Sequence, residues 1–382
     1  MSRLGTETAF VVLARAKELE AQGKSIIHLE IGEPDFDTPP NIVEAGIRAL
    51  REGWTHYGPS HGLPELREAI AADVSQSRGV EVSPADVLVT PGAKPIIFFS
   101  IMALCNPGDE VLVPDPGFPI YESMVNYVGA KPVSVPLLPE NGFSVDIDHF
   151  ESLLSDRTKM LILNSPNNPT GGIIPRADIE RMAELVRERK IFVLTDEVYQ
   201  KILYEDKHFS ILSVDGMADQ TILLDGFSKT YAMTGWRLGY SVAPRWLTDA
   251  MAQLQTNSTS CTASFIQQAG IEALTGPQGS VKAMGEEFWH RRDQLVGDLN
   301  DIEGVSCQSP GGAFYVFPQV EGFSKSAEEL AADLLNEAGV AVLGGTAFGP
   351  HGKGSFRLSF ANSRENLREA ARRMKEYLEG LG

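Results

Sequence analysis

The apolar positions of this chain fall into short unbroken runs, with little strict alternation. Val87-Leu88-Val89, Glu110-Val111-Leu112-Val113, Met160-Leu161-Ile162-Leu163, Ile191-Phe192-Val193-Leu194 and Thr221-Ile222-Leu223-Leu224 read as strands buried on both faces. Helical spacing separates them. An apolar helix opens at Pro95, and in 177–190 Ile179, Met182, Leu185 and Val186 share one face. Strand–helix alternation predicts a mostly parallel α/β sheet covered by helices. A boundary is expected near residue 285, after which the pattern reads helix, strand, helix, strand, helix, with 314–317 and 355–360 as strands.

The polar residues with chemical potential come directly after these strands. Gly92-Ala93-Lys94 follows one, 164–170 another, 196–199 a third and 226–229 a fourth. Open α/β sheets bind ligands outside the carboxyl ends of their strands, so four runs point at one crevice.

The run Gly226-Phe227-Ser228-Lys229-Thr230-Tyr231-Ala232-Met233-Thr234-Gly235-Trp236-Arg237 carries the most information. A lysine amine forms Schiff bases with carbonyl compounds, pyridoxal phosphate (PLP) among them. Arg237, eight residues on, suits a phosphate. Asp196 in Thr195-Asp196-Glu197-Val198-Tyr199 reads as a helix cap when taken alone. Beside a PLP lysine it becomes the carboxylate that keeps a pyridine nitrogen protonated, so that the ring accepts electrons, with Tyr199 near the phenolic oxygen. Asn164-Ser165-Pro166-Asn167-Asn168-Pro169-Thr170-Gly171 is dense in turn formers.

Gly92-Ala93-Lys94 offers backbone amides and a helix start to a phosphate. Arg357, on an apolar strand, needs an anionic partner, either a structural acid or a substrate carboxylate. Gly352-Lys353 is not a Walker loop, because Gly354 follows it and Ala347 stands where the first glycine belongs. Residues 344–354 read instead as a mobile loop beside the site. Gly32, Tyr57 and Phe118 read alone as a turn and two core aromatics.

Composition narrows the partners. The 382 residues are 43% hydrophobic and 22% charged, as in ordinary globular proteins, with a net charge of -18. That charge disfavours nucleic acid and anionic membrane surfaces, which select basic patches. Cys105, Cys261 and Cys307 are far apart and form no metal-binding or disulfide pattern, which fits a reducing cytoplasm. Residues 1–20 lack the apolar core of a signal peptide, and the apolar stretch 95–105 is too short to span a bilayer.

Taken together, the chain resembles the fold-type I PLP enzymes of the aspartate aminotransferase superfamily, in their bacterial-type branch. The lysine run and Asn-Pro-Thr-Gly are the specific signals, and the likeness extends in order from Ile31 to Phe360. It implies a large PLP-binding domain at 41–285. A smaller α/β domain would be built from an N-terminal arm, 1–40, and residues 286–382. Lys229 would hold PLP covalently and move the α-proton. Asp196 would pair with the ring nitrogen, and Tyr199 and Asn168 with the phenolic oxygen. Arg237, Gly92, the amides of Ala93 and Lys94, and Ser228 would surround the phosphate, with Tyr57 coming from the other subunit of a homodimer with shared sites. Gly32, Asn168 and Arg357 would orient the substrate carboxylate, and no metal is implied.

Two departures stand out. Phe118 replaces the tryptophan that many relatives stack on the ring, and Gly226 replaces their serine. The implied reaction moves an amino group from an L-amino acid to a 2-oxo acid such as 2-oxoglutarate, in ping-pong order, with aspartate-type or broad specificity. A PLP lyase, either a carbon–sulfur β-lyase or a cyclopropane-forming synthase, and a non-catalytic PLP-binding sensor are the other readings.

Overall fold

Seven strands form the central sheet of the computed structural model, which describes residues 4–5, 7–204 and 207–381. They are β1 (Val87–Thr90), β2 (Glu110–Asp115), β3 (Lys131–Pro136), β4 (Thr158–Asn164), β5 (Phe192–Asp196), β6 (Thr221–Gly226) and β7 (Gly239–Val242). Their spatial order is β1-β7-β6-β5-β4-β2-β3. Every pairing is parallel except those of β7, which runs against β6 and β1. Six strands therefore end at one edge of the sheet. β7 begins at that edge, with Gly239 opposite both Gly226 and Thr90. The mostly parallel α/β architecture expected from the pattern is present.

The unbroken apolar runs are explained by burial on both faces. Leu88, Val111, Met160, Ile162, Leu194 and Ile222 pack into one core cluster. Leu112, Leu161, Leu163 and Val193 face another on the opposite side, and Val87, Val89 and Leu223 a third. β7 was not expected, and neither was β3. The latter is an edge strand of Lys-Pro-Val-Ser-Val-Pro with mostly half-buried side chains, so it shows no apolar run, and its prolines are tolerated at an edge.

The helices used below are α1 (Thr8–Ala21), α2 (Pro64–Arg78), α3 (Lys94–Leu104), α4 (Ile120–Val128), α5 (Arg176–Glu188), α6 (Phe227–Thr230) and α7 (Gly279–Asn300). α5 buries Ile179, Met182, Leu185 and Val186, as its spacing predicts. α3 begins at Lys94, one residue before the expected Pro95. Residue 285 lies inside α7, which continues unbroken to Asn300.

The chain ends build one further layer. Ile27–His28 pairs in parallel with Val340–Ala341. β8 (Tyr315–Val316), β9 (Leu343–Gly344) and β10 (Phe356–Ser359) form a small antiparallel sheet in the order β8-β10-β9. The expected strands 314–317 and 355–360 are thus present but shorter. Among the described residues no helix is long and apolar enough to cross a membrane.

A buried ion network braces the ends of β5 and β6. Arg78, at the end of α2, has a side chain only 2% exposed. It donates to Glu197 Oε2 through Nε at 3.1 Å and through Nη2 at 2.9 Å, and Nη2 also reaches Asp225 Oδ2 at 3.2 Å. Tyr240 donates to the same Asp225 oxygen at 3.1 Å. Glu197 follows Asp196, and Asp225 precedes Gly226, so this network lies directly behind the two strand ends. Removing one member of a buried ion group strands the charges that remain. Arg78→Ala is predicted to lower unfolding free energy by about 3–5 kcal/mol in urea titration. A loss under about 1 kcal/mol would show that water replaces the guanidinium.

Candidate active site

A cavity of 630 Å³ opens at the edge where six strands end. Four cationic side chains line it, Lys94, Lys229, Arg237 and Arg357, against three acids, Glu7, Glu33 and Asp196. The balance is locally positive on a chain of net charge -18. Of the residues singled out from the sequence, Gly32, Ala93, Lys94, Phe118, Asn168, Asp196, Tyr199, Gly226, Ser228, Lys229, Arg237 and Arg357 all line this cavity. Gly92 and Tyr57 do not. Gly92 lies behind Arg237, and Tyr57 is 89% exposed on the surface.

Lys229 projects from α6, the short helix that follows β6. Its Nζ donates to the Gly32 carbonyl at 2.5 Å. Burial lowers its pKa to about 8, reinforced by the positive charges of Arg357, Lys94 and Arg237 and opposed by Glu33. Gly32 has to lack a side chain, since a Cβ there would lie 2.0 Å from the Tyr315 hydroxyl.

Asp196 ends β5 and is buried. It accepts from the Tyr121 hydroxyl at 2.6 Å, and its backbone carbonyl accepts from Asn164 Nδ2 at 3.1 Å. Burial raises its pKa to about 7 despite the hydrogen bond from Tyr121. A cation placed against it would reverse that shift. Tyr199 is buried three residues further on, its hydroxyl 2.8 Å from that of Tyr315, with burial holding its pKa well above the usual phenol range.

The asparagine loop resolves into two roles. Asn167 Oδ1 accepts from the Thr170 amide at 3.2 Å and hydroxyl at 3.0 Å, which closes the turn. Asn168 lines the cavity, and its Oδ1 accepts from Arg357 Nη1 at 3.2 Å. Arg357 Nη2 donates to the Glu30 carbonyl. Its guanidinium lies 4.7 Å from the Tyr315 ring centroid and 4.8 Å from that of Phe348. Nε is buried and has no hydrogen-bond partner among the described residues. Leaving a donor of a buried cation unpaired is costly, so this edge suits an anion.

Arg237 reaches the same edge because β7 runs backwards. It takes a left-handed conformation, φ 55°, and Nη1 donates to the Thr234 carbonyl at 2.8 Å. Gly92, at φ +87°, gives it room: a Cβ there would lie 2.2 Å from Arg237 Nη2. Gly226 is also confined, since a Cβ would stand 3.3 Å from both Gly239 Cα and the Leu238 carbonyl. A side chain there would need β7 to give by a few tenths of an ångström. Lys94 forms an ion pair with Glu7 of the N-terminal segment and lies 5.4 Å from the Phe118 ring centroid.

Sequence reasoning missed Tyr121, Tyr315, Asn164, Phe348 and Glu7. Tyr121 lies three residues after Phe118, at the start of α4. Glu7 carried no signal.

A family model described as aminotransferase class I and II matches residues 24–374. The chain belongs to the class I and II aminotransferases. It is a PLP-dependent transaminase with the α/β fold of that family. An aspartate aminotransferase of Pyrococcus abyssi is 42% identical over 365 residues, covering 94% of each chain. An aromatic-amino-acid aminotransferase of Thermococcus litoralis is 40% identical over 363 residues, covering 94% of this chain and 93% of its own. The solved aspartate aminotransferase of Thermus thermophilus with maleate superposes with a TM-score of 0.95 at 39% identity, covering 98% of each chain.

The residues of this aminotransferase fit PLP. An amine, a buried carboxylate of raised proton affinity and an arginine over a glycine turn at a helix start meet in one cavity. The lowered pKa of Lys229 has a direct consequence. Its neutral fraction should rise from roughly a tenth at pH 7 to roughly nine-tenths at pH 9, whereas exposed lysines titrate near 10.4. In cofactor-free protein pulsed with formaldehyde and cyanoborohydride, methylation of Lys229 should therefore level off above pH 9. Peptide mapping that shows Lys229 rising in step with surface lysines beyond pH 10 would contradict the shift.

Proposed function

We propose that this aminotransferase moves the amino group of an L-amino acid, with aspartate-type or broad donor range, to a 2-oxo acid such as 2-oxoglutarate in ping-pong order. The observation that carries the reading is the meeting of Lys229, Asp196 and the half-satisfied Arg357 around one cavity. PLP, when bound, supplies an electron sink for the bond broken at the amino acid's α-carbon. Lys229 would anchor the cofactor, and its amine, held at about 8 by burial, suits taking the substrate's α-proton and returning it. Asp196 would stabilise a protonated ring nitrogen, and Tyr121 holds that carboxylate in place. Tyr199 and Asn168 would serve the phenolic oxygen. Arg237, the amides of Ala93 and Lys94, and Ser228 would hold the phosphate, and Phe118 would offer an aromatic face to the ring.

Gly32, Asn168 and Arg357 orient the α-carboxylate that every donor carries. The opposite wall supports a broad range of side chains. Phe10, Ile97 and Phe118 offer apolar surface, and the Lys94–Glu7 pair offers a cation that a second carboxylate could claim from Glu7.

Borohydride reduction of the holoenzyme should fix the cofactor on Lys229. Label on Lys94 would refute the assignment. A donor screen with the acceptor fixed, read as half-reaction spectra, then orders the substrates.

The exposed Tyr57 supports a homodimer with shared sites. A tyrosine left 89% exposed has a reason to be there if a second copy offers a phosphate to its hydroxyl. Tyr57→Phe should weaken cofactor retention several-fold with little change in turnover at saturating PLP. Sedimentation that returned a fully active monomer would remove the shared site.

A further inference from the structure

Asp115, at the end of β2, is a buried carboxylate outside the machinery described above, its side chain 6% exposed. Three donors converge on it. The Ser134 hydroxyl donates at 2.7 Å, the His351 backbone N–H at 3.1 Å and the His351 Nδ1 at 2.7 Å. The carboxylate only accepts, so Nδ1 carries the proton. His351 belongs to the segment 345–355 joining β9 to β10, which holds four glycines. Its own backbone hydrogen bonds, such as Gly345 N–H to the Ser355 carbonyl at 2.7 Å, shape it locally, and side-chain tethers fix it to its neighbours. Gly349 lies against the same carboxylate: at φ +126°, a Cβ there would sit 2.2 Å from Asp115 Oδ1. The Gly117 amide, two residues past Asp115, donates to the Phe348 carbonyl at 2.8 Å. On the far side, the Thr346 hydroxyl donates to Glu328 Oε1 at 2.6 Å.

Phe348 is what these tethers hold. Its ring is 6% exposed, lines the cavity and covers the Arg357 guanidinium. The guanidinium is tied at Nη1 and Nη2, and Nε remains without a partner. A loose Phe348 would let the plane tilt, and a planar fork recognises a carboxylate only when its plane is fixed. We infer that Asp115 and His351 are positioning residues for carboxylate recognition: their pair clamps 345–353 onto the end of β2, so that Phe348 holds Arg357 at the angle the substrate needs. This rests on the assignment of Arg357 to the α-carboxylate.

The test uses the holoenzyme, two donors of different side chain, and amide hydrogen exchange of 345–354 by mass spectrometry. His351→Ala should raise KM for both donors about tenfold with kcat within about threefold, the scale of one charged hydrogen bond relayed in part. Exchange in 345–354 should quicken in the same variant. His351→Asn, whose amide N–H takes the place of Nδ1, should restore both readouts. Arg357→Lys should also raise KM for both donors. If it does and His351→Ala leaves KM unchanged or lowers only kcat, the clamp claim is overturned and the Arg357 assignment stands. If Arg357→Lys leaves KM unchanged for both donors, the assignment and the clamp claim fall together.

Discussion

Burial of β4, β5 and β6 on both faces confines their polar chemistry to their ends. A parallel sheet packed between helices has no wet face, so Asn164, Asp196 and Gly226 fall where the strands stop. The reversed strand β7 adds one residue by the same geometry. It begins where the others end, and Arg237 stands just before it. Lys229 and Arg237 therefore share an edge although a strand turn separates them. The glycines at 92, 226 and 239 let these segments approach closely enough to share that edge.

The same burial sets the charges at the site. Removing water disfavours an ionised group whatever its sign, so Lys229 is pushed down and Asp196 up. Lys229 ends within reach of neutral pH, where an amine can exchange a proton without a large driving force, whereas a cation against Asp196 would return it to its ionised form. Arg357 keeps its charge and meets the cost of burial through Asn168, the Glu30 carbonyl and two aromatic faces. The acids behind the site, Glu197 and Asp225, are paired with Arg78, and their charges still add to the rise of Asp196.

The cavity also depends on the two ends of the chain. Gly32 takes the Lys229 hydrogen bond, Glu7 takes Lys94, and Tyr315, Phe348 and Arg357 close the far wall. These residues are hundreds of positions apart. They meet because Ile27–His28 pairs with Val340–Ala341 and because β8 and β9 flank β10.

Much was legible in the sequence for local reasons. Five unbroken apolar runs named five strands of the sheet, because burial on both faces leaves no alternation. The lysine run, the Asn-Pro-Thr-Gly turn and the strand arginine were readable because each needs particular residue types within a few positions. Such spacing is a property of local backbone geometry. β3 was hidden by its prolines and exposed edge, and α7 hid the expected break at residue 285 because a helix carries straight through it. Tyr121 on Asp196, Tyr315 on Tyr199, Glu7 on Lys94 and His351 on Asp115 lay beyond local reading. Each is a contact between side chains whose separation is set by packing. The sequence by itself determined the strand–helix order and the chemistry waiting at the strand ends. The tertiary structure alone decided which distant donor meets which acceptor, and how far burial shifts each charge, because those depend on distance and on excluded water.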